Sequence, residues 1–286
     1  MVNLEPYLKK CLFPQLESKF ECGVSGGADS VALMILAKYH GCKVTAHHVN
    51  HNIRIENETD FVAELAKRFE IDFVGHQVFV EPGSNLEARA RKKRFEVMPG
   101  GVATAHTMDD QVETFFINLF RGSSLSGLSG MRPSFSHPIL NLRRYETEQI
   151  VKDFEIDPFK DPSNKDMRFV RNKIRYVVIP LLNDIAGRDI VPVIYRQMDL
   201  MREDNDFLQD CADSVNVLDV KELKSTPKPI ASRALRKLLT DNNGYMPVSR
   251  DILKVLDVVN LKHEATQIKN GVMIKRSKGK LKVEKQ

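Results

Sequence analysis

The sequence predicts an α/β fold: a doubly wound, mainly parallel sheet, followed by a smaller, mostly helical domain that ends in a β-hairpin. Three observations predict it. From residue 20 to about 140, β-rich segments alternate with helical ones, the pattern of βαβ units whose ligands sit beyond the strand carboxyl ends. After Pro158 helical segments follow one another without strands between them. Near the end, Asn270-Gly271 stands within an alternating apolar pattern, which marks a tight turn between antiparallel strands.

The first strand, over 20–24, runs into Ser25-Gly26-Gly27-Ala28-Asp29-Ser30, and the apolar run Val31 to Ala37 buries the helix that follows over 30–40. Strands are predicted over 43–49, 73–80 and 101–106, with helices over 57–70 and 85–96 between them. Ser84 with Glu87 three residues on has the spacing of a capping box. The Gly/Ser-rich stretch 122–130 reads as a flexible loop. Helices are expected over 167–183, 190–212 and 229–240, and the hairpin over 266–285 turns Val272, Ile274, Leu281 and Val283 inward. A division between residues 180 and 190 gives domains 1–185 and 186–286.

A chain of 286 residues with 42% hydrophobic content suits two such domains. The net charge of +5 is modest, but residues 262–286 hold eight Lys or Arg against Glu264 and Glu284. Such a tail suits a polyanion, although a solvated hairpin also carries charge. Cysteines at 11, 22, 42 and 211 have no Cys-x-x-Cys spacing, which argues against zinc or iron-sulfur sites and for reduced thiols. No apolar run approaches membrane-spanning length, and the N-terminus lacks a basic flank followed by an apolar core. The expectation is a cytoplasmic protein with no membrane partner.

The loop at 25–30 has the chemistry of a phosphate site. Gly26 and Gly27 allow a tight turn that brings backbone N–H groups close to an anion, and the helix dipole adds positive charge. It is not a Walker A loop, because the Gly-Lys-Ser/Thr ending is missing and Asp29 stands there instead. A second constellation runs from Ala105-His106 to Asp109-Asp110-Gln111-Val112-Glu113 at a strand end. Asp109 and Glu113 are i and i+4, and Asp110 and Glu113 are i and i+3, so the carboxylates crowd one helical face. An acidic first turn also suits the helix dipole. Beside a phosphate loop the cluster suits Mg²⁺ or an ammonium substrate.

Third, Asp161-Pro-Ser-Asn164 precedes Arg168, Arg171 and Arg175, whose spacing makes one basic helical face suited to phosphate, or simply to solvent. Fourth, Arg89, Arg91, Lys92, Lys93 and Arg94 form the densest positive patch, fit for RNA backbone or a pyrophosphate leaving group. His47, His48 and His51 cluster at the second strand's end without a cysteine or carboxylate at ligand spacing nearby.

Ser-Gly-Gly-x-Asp-Ser resembles the pyrophosphate loop of the N-type ATP pyrophosphatases, with their adenine nucleotide α-hydrolase-like fold. Further segments follow in order: His48-Val-Asn-His51 with Arg54, Asn85 to Arg91 with Arg94-Phe95, Thr104-Ala-His106 through Thr114, Arg121-Gly-Ser123 to Leu128, and Asp161 to Asn164 with Arg171-Asn172-x-Ile174-Arg175 and Pro180. Together they resemble the bacterial tRNA(Ile)-lysidine synthetase family, in a short form. The resemblance implies a ligase that uses ATP and Mg²⁺ to adenylate C2 of the wobble cytidine in tRNA(Ile) with a CAU anticodon, releasing pyrophosphate. Free L-lysine then displaces AMP. It further implies that Ser25, Gly26, Gly27, Ala28, Asp29, Ser30, His48 and His106 bind the nucleotide, and that Asp29, Asp109, Asp110, Glu113, Arg91 and Arg175 carry the chemistry. Asp29 and Asp109 are the implied Mg²⁺ ligands, and Arg54, Arg94, Arg121, Arg168, Arg171 and Asn172 the tRNA or substrate contacts. An amine must lose a proton before it attacks, so a nearby carboxylate or His106 could serve as base for lysine, and the short members of the family suggest a homodimer.

Three departures stand out: the segment 94–101 is short, Thr107 replaces a common histidine, and Ser126 replaces a common basic residue. Two other readings remain. A thiolase of the iron-sulfur type would carry paired cysteines, and a nonenzymatic RNA-binding module would not need an intact loop and acids.

Overall fold

The computed structural model describes residues 2–50, 58–79, 86–159, 166–243 and 246–285. Contacts divide the chain into two compact units, Met1–Met198 and Asp199–Gln286.

In the first unit, after a short α1 (Glu5–Leu8), β1 (Lys19–Gly23), β2 (Lys43–Asn50) and β3 (Asp72–Gln77) pair in parallel in the order β1-β2-β3. Helices α2 (Ala28–His40) and α3 (Glu58–Arg68) make the crossovers. The chain then passes α4 (Leu86–Val97) and returns to the other side of β1, where Cys22 and Ala103 form a parallel bridge. The strand expected over 101–106 is therefore a single bridge. Ala103 exchanges bonds of 2.8 and 2.9 Å with Glu21 and Gly23, but the next N–H, of Thr104, donates to Ser136 O at 2.9 Å. The Thr104 N–H faces away from β1, and the next bond of a parallel ladder, from Ala105 N to Gly23 O, is not made, so the pairing ends after Ala103.

The order reverses at β1, so right-handed crossovers assign α4 to the face opposite α2 and α3. Side-chain parity agrees: Val44 and Ala46 join the main core, whereas Val49 packs with Val78, Met98 and Val102 in a separate cluster. Both faces are covered, as expected of a doubly wound sheet. The loop after β1 consequently opens at the switch point, where α/β sheets bind ligands. Helix α2 is buried from Ser30 to Ala37, and α7 (Arg144–Asp153) packs against it. Between them in sequence lie α5 (Met108–Phe120) and the one-turn α6 (Leu125–Leu128). The helix expected over 167–183 is built as α8 (Val170–Lys173), a π-turn at Ile174–Val178 and α9 (Ile179–Ala186).

Helix α10 (Val191–Asp213) runs through the division between the units. The second unit continues with α11 (Val220–Ser225), α12 (Lys228–Asn243) and α13 (Ser249–Val259). In α13, Ile252, Val255, Leu256 and Val259 fall at i, i+3, i+4 and i+7 and all are buried, so burial overrides the β preference of valine. The expected hairpin is two hairpins sharing a strand: β4 (Ala265–Gln267), β5 (Val272–Ser277) and β6 (Lys280–Lys285) form an antiparallel sheet. Asn270-Gly271 (φ 65° and 73°) joins β4 to β5, and Lys278-Gly279 (φ 50° and 75°) joins β5 to β6. Val272, Ile274 and Leu281 are buried as expected, with Val283 packed beside them.

Because Leu36 is fully buried in α2, Leu36→Ala should lower unfolding free energy by about 2–5 kcal/mol through lost transfer energy and a cavity. Urea denaturation checks this.

Candidate active site

The loop after β1 is folded on itself by one hydroxyl. Ser30 Oγ accepts from Ser25 N at 3.1 Å, donates to Gly27 O at 2.9 Å and lies 3.2 Å from Ser25 Oγ. Gly27 is the N-cap of α2, whose first ladder bond is Val31 N to Gly27 O at 3.0 Å. The preceding N–H groups of the first turn have no partner within the helix. Gly26 has φ +85°, a value that L side chains rarely adopt, and a Cβ there would lie 3.4 Å from Phe159 Cβ. Its carbonyl accepts from Phe159 N at 2.9 Å. The loop is thus backbone with an aromatic wall behind it, a cradle that fits phosphate oxygens.

It opens on a cleft of about 1330 Å³. Around it stand Ser25, Gly27, Ala28, Asp29 and Ser30, with His47 and His48 from β2, His106 and Asp110 beyond the Ala103 bridge, Arg94 from α4, and Arg171 and Arg175. His48 Nδ1 lies 2.8 Å from Val24 O, so it carries the donated proton. Burial lowers the ring's pKa. Its Nε2 is buried with no partner among the described residues, leaving an acceptor at the edge of the cleft. The Thr104 hydroxyl sits between His106 Nδ1 at 2.8 Å and His137 Nδ1 at 2.9 Å.

The acids are not left to repel one another, because Arg144 takes them together. Its Nη2 is 2.8 Å from Asp110 Oδ1, its Nη1 3.0 Å from Glu113 Oε1, and its Nε 3.8 Å from Asp29 Oδ2. Its backbone N–H donates to Asp109 Oδ2 at 2.8 Å. Glu113, fully buried, also receives Arg175 Nε at 2.7 Å and Nη2 at 3.0 Å, with Arg171 Nε at 3.6 Å. Asp110 does double duty: with Thr107, its N-cap partner, it closes the capping box of α5. The threonine in place of a common histidine is therefore a cap. Burial pushes the Asp110 carboxyl up, but Arg144, the Thr107 N–H and Arg171 outweigh it, and the net shift is downward.

Asp29 behaves oppositely. Burial, then the Asp110 charge, push its carboxyl up to about 6 against the pull of Arg144 and a hydrogen bond from Thr147. Its side chain keeps 28% exposure, on a residue that lines the cleft. Asp109, expected to share a metal with Asp29, is instead gripped by Arg143 at 3.0 and 3.1 Å and does not line the cleft. Among the described residues no group of three His, Cys, Asp or Glu is arranged to hold a metal.

Other expected residues separate. Arg121 and Arg168 are exposed and outside the cleft lining, with Arg168 paired to Asp166 at 2.7 Å. Asn172 is buried and donates to Asp166 O at 2.8 Å, which ties down the start of α8 rather than facing the cleft. Arg91 lies in α4, and Arg54, the Ser84 cap and Asp161 to Asn164 lie outside the described residues.

A protein-family profile described as a PP-loop domain matches residues 2–182. A tRNA(Ile)-lysidine synthase from Nocardia farcinica is 31% identical over 254 residues, 82% of this chain and 80% of its own. This chain belongs to the tRNA(Ile)-lysidine synthase family. Two other members, from Rhodococcus erythropolis and Caldanaerobacter subterraneus, are 32% and 29% identical, covering 82% and 93% of this chain and 78% and 67% of theirs.

The residue that sequence reasoning missed in this synthase-family site is Arg144. Its signal was local: Arg143-Arg144 stands at the start of α7, where the helix dipole disfavours cations, so a nearby demand for positive charge is needed to hold them. Arg144→Ala should destabilise the protein by about 3–5 kcal/mol near neutral pH, because it strands buried carboxylates. In the native chain Asp110 is held low, so its contribution is present above its unfolded value near 3.8 and is lost as pH falls through the folded value. Without Arg144 the folded carboxyl values rise. The penalty should therefore shrink as pH falls toward about 4, read by thermal melts across pH.

Proposed function

We propose that this chain ligates lysine to C2 of the wobble cytidine of tRNA(Ile) with a CAU anticodon, at the expense of ATP. The observation that carries the reading is the meeting of the 25–30 loop, Asp29 and the guanidinium groups of Arg144, Arg171 and Arg175 in one cleft. Backbone N–H groups at the start of α2 receive the ATP phosphates, and the arginines stabilise charge on the phosphoryl groups. The carbonyl oxygen on C2 attacks the α-phosphorus, an O–P bond forms, and pyrophosphate leaves with the electron pair of the broken P–O bond. An amine of lysine then attacks C2, the C–O bond breaks, and AMP departs. The amine proton passes to a base in the cleft, which Asp29 and His106 both line.

Asp29 is the residue that would hold Mg²⁺ with the phosphate oxygens, since Asp109, Asp110 and Glu113 are committed to guanidinium groups. When bound, the ion neutralises phosphate charge. Asp110 and Glu113 act through Arg144 and Arg175 as positioning residues. The second unit supplies docking surface for the tRNA. A cytoplasmic setting is supported by four free thiols and by the lack of any described helix long and apolar enough to cross a membrane.

The test supplies ATP, Mg²⁺ and labelled lysine with either this tRNA(Ile) or the methionine tRNA that shares its anticodon. Label should enter the first alone; label in neither would overturn the reading. With Asp29 at about 6, pyrophosphate release should fall about tenfold per pH unit below that value, as the carboxylate protonates. Asp29→Asn should lose most of the rate, and the remainder should lack that acid limb.

A further inference from the structure

Thr104, one residue beyond the Ala103 bridge, bears a hydroxyl with more partners than protons. Its Oγ1 lies 2.8 Å from His106 Nδ1 and 2.9 Å from His137 Nδ1, with Ser136 O farther off at 3.4 Å. A hydroxyl has one proton to give and lone pairs to receive. One ring nitrogen therefore donates to Oγ1 while the other accepts from it, and the direction can be reversed without loss of a hydrogen bond. Backbone fixes this geometry: Thr104 N donates to Ser136 O at 2.9 Å, His137 N to Ser134 O at 2.9 Å and Leu12 N to Pro138 O at 2.8 Å. The two rings meet edge to face with centroids 5.3 Å apart.

The rings at the two ends have different surroundings. His106 lines the cleft, whereas His137 is half-buried and outside the cleft lining. With Nδ1 turned to Thr104, Nε2 is the nitrogen through which His106 can take up a proton in the cleft. A proton kept there shares the cleft with the guanidinium groups of Arg144, Arg171 and Arg175. Asp110, whose carboxyl His106 helps to hold low, attracts it, but each neighbouring cation opposes it. Moved on to His137, the proton leaves that crowd.

We propose that Thr104 and His137 form a relay that carries the proton of the lysine amine from His106 out of the cleft. This rests on the reading of the chain as a lysine ligase and names the route the proton takes. As the C–N bond to C2 forms, His106 Nε2 takes the proton from the attacking nitrogen. The His106 Nδ1–H bond breaks and that proton passes to Thr104 Oγ1, while the Thr104 O–H bond breaks and its proton passes to His137 Nδ1. His106 ends neutral, and His137, now an imidazolium, loses its Nε2 proton to water. After the products leave, water takes the Nε2 proton of His106 and returns one to His137 as the hydrogen bonds reverse. His106 is the catalytic residue, and Thr104 and His137 act through it as positioning residues. Adenylation needs none of this, because the C2 carbonyl oxygen attacks with a lone pair and has no proton to lose.

The test separates the two half-reactions in the full chain: pyrophosphate release with ATP and tRNA(Ile) alone, then AMP release when lysine is added to the adenylated tRNA. Thr104→Val, which keeps the shape and removes the hydroxyl, should slow the lysine step at least about tenfold and leave pyrophosphate release within about twofold of native. Thr104→Ser, which keeps the hydroxyl, should restore the lysine step. His137→Asn can still hydrogen-bond to Thr104 but cannot carry a proton at neutral pH. It should slow the lysine step as the valine variant does, whereas mere holding of the His106 ring would survive in it. A native lysine step in either Thr104→Val or His137→Asn would overturn the proposal while leaving the ligase reading standing. Equal slowing of both half-reactions would do the same, since that is the mark of a structural role. Should melting show that Thr104→Val does not fold, His137→Asn decides by the same outcomes. Failure of the native chain to join lysine to tRNA(Ile) would bring down both.

Discussion

Arg144 holds the catalytic half of this protein together. Two carboxylates on adjacent turns of α5 and a third on α2 converge where water is scarce, and at such distances like charges repel strongly enough to open the site. One guanidinium inserted among them, at 2.8 Å from Asp110 and 3.0 Å from Glu113, turns repulsion into cross-linking. It joins α2, α5 and α7. Arg175 and Arg171 reach the same buried Glu113 from α8 and the π-turn that follows. Four segments distant in sequence thus meet on one carboxylate network, and the arginines are held without freedom to collapse onto any phosphate before it arrives.

That constraint gives each acid a distinct job. Asp110 and Glu113 are anchors, and the depressed pKa of Asp110 records the strength of its pairing. Asp29, with one oxygen on Thr147 and its nearest arginine nitrogen at 3.8 Å, keeps a carboxyl pushed up to about 6 by burial and by its neighbour Asp110. A carboxylate so placed gains from the arrival of a cation. The same neighbourhood therefore holds two acids still and leaves one ready for ligands.

The parallel sheet, the glycine loop and its helix, and the helical second unit with its terminal strands were legible in the residues, because hydrophobic period and turn chemistry are local. Less legible was the shortened strand at Ala103, where the ladder stops because Ala105 N does not go on to Gly23 O, a pairing between segments far apart along the chain. The third strand of the terminal sheet was hidden by its length, since Ala265 to Gln267 is too short to show alternation. Helix α13 was masked by valines that suit strands until the buried spacing decides otherwise.

For the site the same line can be drawn residue by residue. The sequence determined that a glycine loop with the chemistry of a phosphate site spans Ser25 to Ser30 and that acids and arginines accompany it, because glycine conformation and i to i+4 crowding are properties of short segments. Which acid pairs with which cation was decided only by tertiary structure. Asp109 and Asp110 are neighbours in sequence with the same chemistry, yet one faces Arg143 outside the cleft and the other Arg144 within it. Coulomb energy depends on distance in space, and only the folded chain sets that distance.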